Sequence, residues 1–231
     1  MATAIFPAAG QSSRMKSILN SVTNKNFLNF GGFSILVRTL QAFSQSKEID
    51  NLIIAAASDE IPTVEKMLAD VEGLKPFQIV EGGSERQYSI ANALQKVPKD
   101  CDIVLIHDAA RPLISIETIE KVVEAARIYG GAIAAMPEKN TIKIIDDEGF
   151  VVDTPPRAKL VSVQTPQGFR REIIIKAYEQ AARDNFLGTD DSSLVERLGY
   201  KVKIVKSDYK NIKITTPEDI LIAEAFLRSD H

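Results

Sequence analysis

Two short segments of this 231-residue chain set charges among small residues, the combination that a site for a phosphorylated ligand requires. In Pro7-Ala8-Ala9-Gly10-Gln11-Ser12-Ser13-Arg14-Met15 the small side chains let backbone N–H groups approach a phosphate or a base, and Arg14 adds a cation. The segment is neither G-x-G-x-x-G nor G-x-x-x-x-G-K-[ST], so the dinucleotide and P-loop fingerprints both fail, and a plain strand-to-helix turn accounts for it equally well. In His107-Asp108-Ala109-Ala110-Arg111-Pro112 a strand-end aspartate could hold Mg²⁺ beside phosphate oxygens, Arg111 could clamp a phosphate, and two alanines leave room for the ligand. The bland alternative is a surface Asp108–Arg111 ion pair beside a satisfied, partly buried His107.

A third segment, Gly82-Gly83-Ser84-Glu85-Arg86 with Ser89, puts paired glycines ahead of a helix, where backbone groups can meet a nucleobase or sugar edge. Ser84 could equally cap that helix, with Gln87 completing a capping box. Lys25, Thr141, Arg157 and Lys213 are scattered polar residues that gain meaning only if the fold gathers them. Lys213 lies in the alternating run Asn211-Ile212-Lys213-Ile214-Thr215, which reads as a strand.

The elements that must position these residues follow an alternating rhythm. Short, nearly apolar runs at Thr3–Phe6, Leu52–Ala56, Phe77–Val80, Ile103–His107 and Ala132–Ala135 are separated by stretches of helical length. That rhythm predicts βαβ units: an α/β fold with a mostly parallel sheet and helices on both faces. The clearest helix starts at an N-cap, Ser115, carries Ile119, Val122, Val123 and Ala126 on one face and stops at Gly130-Gly131. Further helices are expected over Arg171–Arg183, Ser192–Leu198 and after Pro217, and a strand over Lys201–Val205. Two extended runs, Thr141–Ile145 and Phe150–Asp153, flank the turn formers Asp146, Asp147, Glu148 and Gly149, the pattern of a hairpin. Its Ile142, Ile144, Val151 and Val152 would bury more area against a partner, which makes it a candidate dimerisation arm.

Composition narrows the function classes. With 28 Lys+Arg against 31 Asp+Glu and no basic block, the chain has no dedicated surface for nucleic acid or an anionic membrane. A single cysteine, Cys101, rules out an intrachain disulfide and a cysteine zinc site, and no apolar run reaches bilayer length, so a cytoplasmic protein is expected. The length suits one domain spanning 1–231.

PAAGQSSRM, KNFL, GGSERQYSI, VLIHDAARP, NTIK, TPQGF, TDDSSLVE and NIKITTPEDI occur in this order. The series resembles the 2-C-methyl-D-erythritol 4-phosphate cytidylyltransferase family of the non-mevalonate isoprenoid pathway, over nearly the whole chain. The resemblance implies a Rossmann-like nucleotidyltransferase fold, a homodimer built through an inserted β-arm at about 138–160, and transfer of CMP from CTP to the sugar phosphate with release of diphosphate. It implies that Pro7, Ala8, Ala9, Gly10, Gly82, Gly83 and Ser89 contact the nucleotide, with Ala109 near its ribose. By the same resemblance Arg14, Lys25 and Lys213 are the catalytic cations, Asp108 serves Mg²⁺, and Arg111, Thr141 and Arg157 bind the sugar phosphate, the last two in the partner subunit's site. The sequence departs from the family at Ser12, which stands where a second glycine is usual, and in a longer gap between Arg14 and Lys25. The rival readings are a cytidylyltransferase for another polyol phosphate such as ribitol 5-phosphate, a nicotinamide-dependent oxidoreductase, and a catalytically silent nucleotide-binding paralogue. The missing dinucleotide fingerprint disfavours the oxidoreductase, and the presence of both Lys25 and Lys213 disfavours the silent protein.

Overall fold

The computed structural model describes residues 1–10 and 24–228; Arg14, Ser12 and the lengthened loop lie outside the described residues. A seven-stranded sheet organises the rest. Its strands are β1 (Ala2–Pro7), β4 (Asn51–Ala56), β5 (Phe77–Glu81), β6 (Ile103–Ile106), β7 (Gly131–Pro137), β10 (Val161–Arg170) and β11 (Lys203–Lys206). They lie in the order β11-β7-β10-β6-β1-β4-β5, all pairs parallel except the two made by β10. Two small ribbons complete the strands: β2 (Asn29–Phe30) with β3 (Phe33–Ser34), and β8 (Ile144–Ile145) with β9 (Val151–Asp153).

The central strands are apolar throughout because both faces are covered. Ala2, Ala4, Phe6, Leu52, Ile54, Ile103 and Leu105 point into one core with α1 (Ile35–Gln45), α2 (Ile61–Ala69) and α4 (Ile116–Tyr129). Their neighbours Ile5, Ile53, Val104 and Ile106 point into a second core with α3 (Arg86–Leu94), α5 (Arg171–Arg183) and α6 (Asp191–Arg197). The period-2 alternation of side chains thus separates two layers of helices. Ser115 caps α4 by accepting from Thr118 N at 3.2 Å, and Gly130 closes it at φ +87°, a conformation in which a Cβ would be strained.

The expected α/β architecture, five leading strands, hairpin and helices are all present, the last being α7 (Pro217–Arg228). Two expectations fail. Asn211–Thr215 forms no ladder; this extended segment commits its backbone groups to the site instead, Ile214 N donating to Ala110 O at 2.8 Å. Conversely, β10 is not expected from its sequence, because Pro166 interrupts the run and lacks a ladder donor; the β10–β7 register shifts between Val163 and Gln167, around the cis Thr165–Pro166 peptide.

β10 reaches the middle of the sheet because Gly168 lets α4 lie close: a Cβ there would stand 2.8 Å from Val122 Cγ1 and 3.4 Å from Ala126 Cβ. Gly168→Ala is therefore expected to cost about 1–3 kcal/mol in denaturant unfolding. Val122→Ala, which removes the atom struck, should cost less in that background than alone, and strict additivity would show that the contact does not limit the packing.

Candidate active site

The chain runs from β1 outward through β4 to β5, then returns to the other side of β1 as β6. At that reversal lies the crevice beyond the strand carboxyl ends where ligands of such sheets bind. Here it is a cleft of about 700 Å³ lined by Pro7, Ala9 and Gly10 after β1, Gly82, Gly83, Arg86 and Ser89 after β5, Asp108 and Ala109 after β6, and Lys25 and Lys213. Ala8 is buried behind it.

The small residues are needed for close approach. A Cβ on Gly82 would fall 2.5 Å from Ala9 Cβ, and one on Gly83 would fall 2.4 Å from Tyr88 Cβ. Ser89, 2% exposed, accepts from Gly83 N at 3.0 Å and so braces the glycine turn. The alternative role of Ser84 as the cap of α3 is not realised: the N-cap is Glu85, without a side-chain bond. Gln87 instead turns outward, donating to Phe186 O at 2.9 Å and accepting from Gly188 N at 2.9 Å.

Asp108 is the centre of the polar arrangement. It is 7% exposed, and its carboxylate meets three cations: Arg86 Nε on Oδ1 at 3.2 Å, with Arg111 Nε at 3.3 Å and Lys213 Nζ at 3.0 Å on Oδ2. Burial alone would raise its pKa, but Arg86, Lys213 and Arg111 outweigh that and hold it well below the usual carboxylate range. The Asp108–Arg111 pair is thus buried rather than superficial. A magnesium ion at Asp108 would share the carboxylate with these three cations and would draw its other oxygens from a bound phosphate.

His107 is fully buried, and burial lowers its pKa to about 3, so the ring is neutral. Thr165 Oγ1 accepts from Asp108 N at 3.0 Å and donates to His107 Nδ1 at 3.1 Å, which leaves Nε2–H to donate to Arg111 O at 3.2 Å. Asn211 Nδ2 donates to Thr165 O at 2.8 Å and Asn211 O accepts from Arg111 Nη1 at 2.8 Å. The loop carrying Lys213 is thereby bonded to both β10 and the turn after β6.

Lys25, in a single 3-10 turn at Lys25–Phe27, donates from Nζ to Ile214 O at 2.7 Å, one residue beyond Lys213. Two lysines remote in sequence are therefore fastened to one stretch of backbone at the cleft. Arg111 stands behind Asp108, whereas Thr141 and Arg157 lie away from the cleft on the exposed arm, Arg157 Nη1 donating to Lys139 O at 3.0 Å. Sequence reasoning assigned no role to Arg86, Thr165 or Asn211. All three lie inside the motifs GGSERQYSI, TPQGF and NIKITTPEDI, but only the fold reveals that Arg86 and Thr165 meet Asp108 and that Asn211 joins Thr165 to Arg111.

The family model described as 2-C-methyl-D-erythritol 4-phosphate cytidylyltransferase matches residues 2–229. A protein of that name from Caldanaerobacter subterraneus subsp. tengcongensis is 47% identical over 227 residues, covering 98% of each chain, and one from Geobacter metallireducens is 42% identical over 229 residues, covering 97% of each. Among solved structures, the 4-diphosphocytidyl-2C-methyl-D-erythritol synthase of Anaerococcus prevotii superposes with a TM-score of 0.87 at 35% identity, covering 99% of this chain and 96% of that one. The 2-C-methyl-D-erythritol 4-phosphate cytidylyltransferase of Thermus thermophilus gives a TM-score of 0.80 at 32% identity, covering 98% of each. Full-length matches of this kind, on a sheet whose switch point carries the motif residues, establish that the chain belongs to the 2-C-methyl-D-erythritol 4-phosphate cytidylyltransferase family.

Proposed function

We propose that the cleft transfers CMP from CTP to 2-C-methyl-D-erythritol 4-phosphate, giving 4-diphosphocytidyl-2-C-methyl-D-erythritol and diphosphate, a step of isoprenoid precursor biosynthesis. A phosphate oxygen of the acceptor attacks the α-phosphorus of CTP in line, and the bond from that phosphorus to the oxygen bridging the β-phosphate breaks. The attacking oxygen is already anionic at neutral pH, so no protein base is required. His107 does not serve as one: it is buried, and both its nitrogens are engaged within the protein.

What the reaction needs is compensation of the charge brought by two polyanions. The observation that carries this reading is that Lys25 and Lys213 both line the cleft, with Lys25 Nζ bonded to Ile214 O beside Lys213 and Lys213 Nζ held by Asp108. In the proposed roles Lys213 and Lys25 stabilise the phosphoryl oxygens in the transition state, Arg14 adds a third cation, and Ala9, Gly10, Gly82 and Gly83 admit the nucleotide. A divalent cation such as Mg²⁺ would be held between Asp108 and the triphosphate oxygens and would offset their charge. In the proposed homodimer Thr141 and Arg157 of one arm reach the partner's cleft, and the exposed Ile144, Ile145, Phe150, Val151 and Val152 supply the contact area. The reading has a single domain and a cytoplasmic enzyme.

Diphosphate release with CTP, Mg²⁺ and methylerythritol 4-phosphate tests it, against ribitol 5-phosphate as acceptor and ATP, GTP and UTP as donors; release only from another pair would overturn it. Lys213→Ala and Lys25→Ala should each lower kcat roughly 10²-fold or more with the fold retained by circular dichroism, and wild-type turnover would remove that lysine from the mechanism. For the arm, mixing Arg157→Ala with Lys213→Ala subunits should restore activity, since one hybrid cleft then has both residues; verified heterodimers without activity would refute the shared site. Because the folded state holds His107 from 6.5 down to about 3, the unfolded chain takes up the proton first as pH falls. Stability should decline between those pH values by up to about 1.4 kcal/mol per pH unit from this group, measured by urea unfolding, and His107→Gln should remove that share.

A further inference from the structure

Arg86 does not end at Asp108. Its Nη1 and Nη2 form a two-pronged pair with Asp191 Oδ1 and Oδ2 at 3.1 and 2.8 Å. Asp191, 1% exposed, does not line the cleft and reaches it only through Arg86. A third bond comes from Tyr178, whose hydroxyl donates to Asp191 Oδ1 at 2.5 Å; burial, with Asp191 beside it, raises the Tyr178 pKa and keeps it a donor. The start of α6 is itself pinned to β10, since Gln167 accepts from Ser192 N at 2.9 Å and donates to Asp190 Oδ2 at 2.8 Å. Arg86 is thus stretched between two buried carboxylates, and its planar fork fixes the angle at which Nε meets Asp108.

We propose that Asp191 is a positioning residue for the transfer reaction. By holding both Nη atoms it directs Arg86 Nε onto Asp108 Oδ1, so that Oδ2 is left to Arg111 and Lys213 and the Lys213 ammonium is fixed at the cleft. Without Asp191, Arg86 is free to swing fully onto Asp108 or toward an incoming phosphate, and Lys213 loses its seat.

The inference rests on the proposed transfer, and wild-type turnover of CTP with methylerythritol 4-phosphate is measured first so that the two can fail separately. Asp191→Asn keeps the shape and removes the charge. Below its melting temperature it should lose about 10- to 100-fold in kcat while KM for CTP changes less than about threefold, as expected for an interaction expressed in the transition state. In an Arg86→Gln background the same substitution should cost less than about twofold more, because both act along one path. A lowered melting temperature with kcat within about twofold of wild type, or a full independent loss in the Arg86→Gln background, would assign Asp191 to structure alone. Should Asp191→Asn not fold, Arg86→Lys and Tyr178→Phe decide the matter: the first keeps the charge but loses the fork, the second leaves Asp191 charged with one bond fewer. Both should lower kcat with KM for CTP retained, and wild-type kcat in both would overturn the inference.

Discussion

A carboxylate buried at the end of β6 is the constraint on which the site depends. An ionised group out of water is costly unless paired and hydrogen-bonded, and Asp108 is compensated by Arg86, Arg111 and Lys213 together. Each brings a different part of the chain: α3, the turn after β6, and the loop before α7. Asp191 adds a second buried carboxylate, so the cluster holds three cations against two anions and keeps one positive charge in excess. That excess lies at the wall of a cleft that Asp59, Glu60, Glu81 and Glu85 also line, so the cations act on a ligand through their positions and not through a net positive field.

The sheet makes this convergence possible. The reversal at β1 places the crevice at the ends of β1 and β6, and the antiparallel insertion of β10 beside β6 brings Thr165 against Asp108 N and Gln167 against the start of α6. One irregular stretch of strand therefore braces both carboxylates of the cluster. Its irregularity is part of that work: Pro166 withholds a donor from the ladder, and Thr165 commits its hydroxyl and carbonyl to His107, Asp108 and Asn211.

How much of this was legible in the sequence follows the same physics. Strands such as β1, β4 and β6 were visible because burial on two faces demands continuous apolar runs, and α4 because Ser115 and Gly130 mark its ends. β10 was hidden by Pro166 and by the polar residues that it turns toward the site. Asn211–Thr215 misled in the opposite direction: its polar–apolar alternation is not matched by burial, since the buried residues are Asn211, bonded to Thr165, and Ile214, packed with Phe30, Ile35 and Ala223. Asp108 and its neighbour Arg111 were read as a pair, but the convergence of Arg86 and Lys213 on them was not, because periodicity reports which face is buried, whereas an ion cluster assembled from positions 86, 111, 191 and 213 has no local signature.

Catalysis by positioned charge sets a demand that flexible surface lysines do not meet. A lysine swinging freely in water gains about as much from water as from a phosphate, and reorganising it during the reaction cancels much of the benefit. Lys25 and Lys213 are instead tethered by the fold, one to Ile214 O and the other to Asp108. The free-energy cost of burying Asp108 is thus met during folding, and what it secures, in the proposed transfer, is a cation already placed when the two polyanions meet.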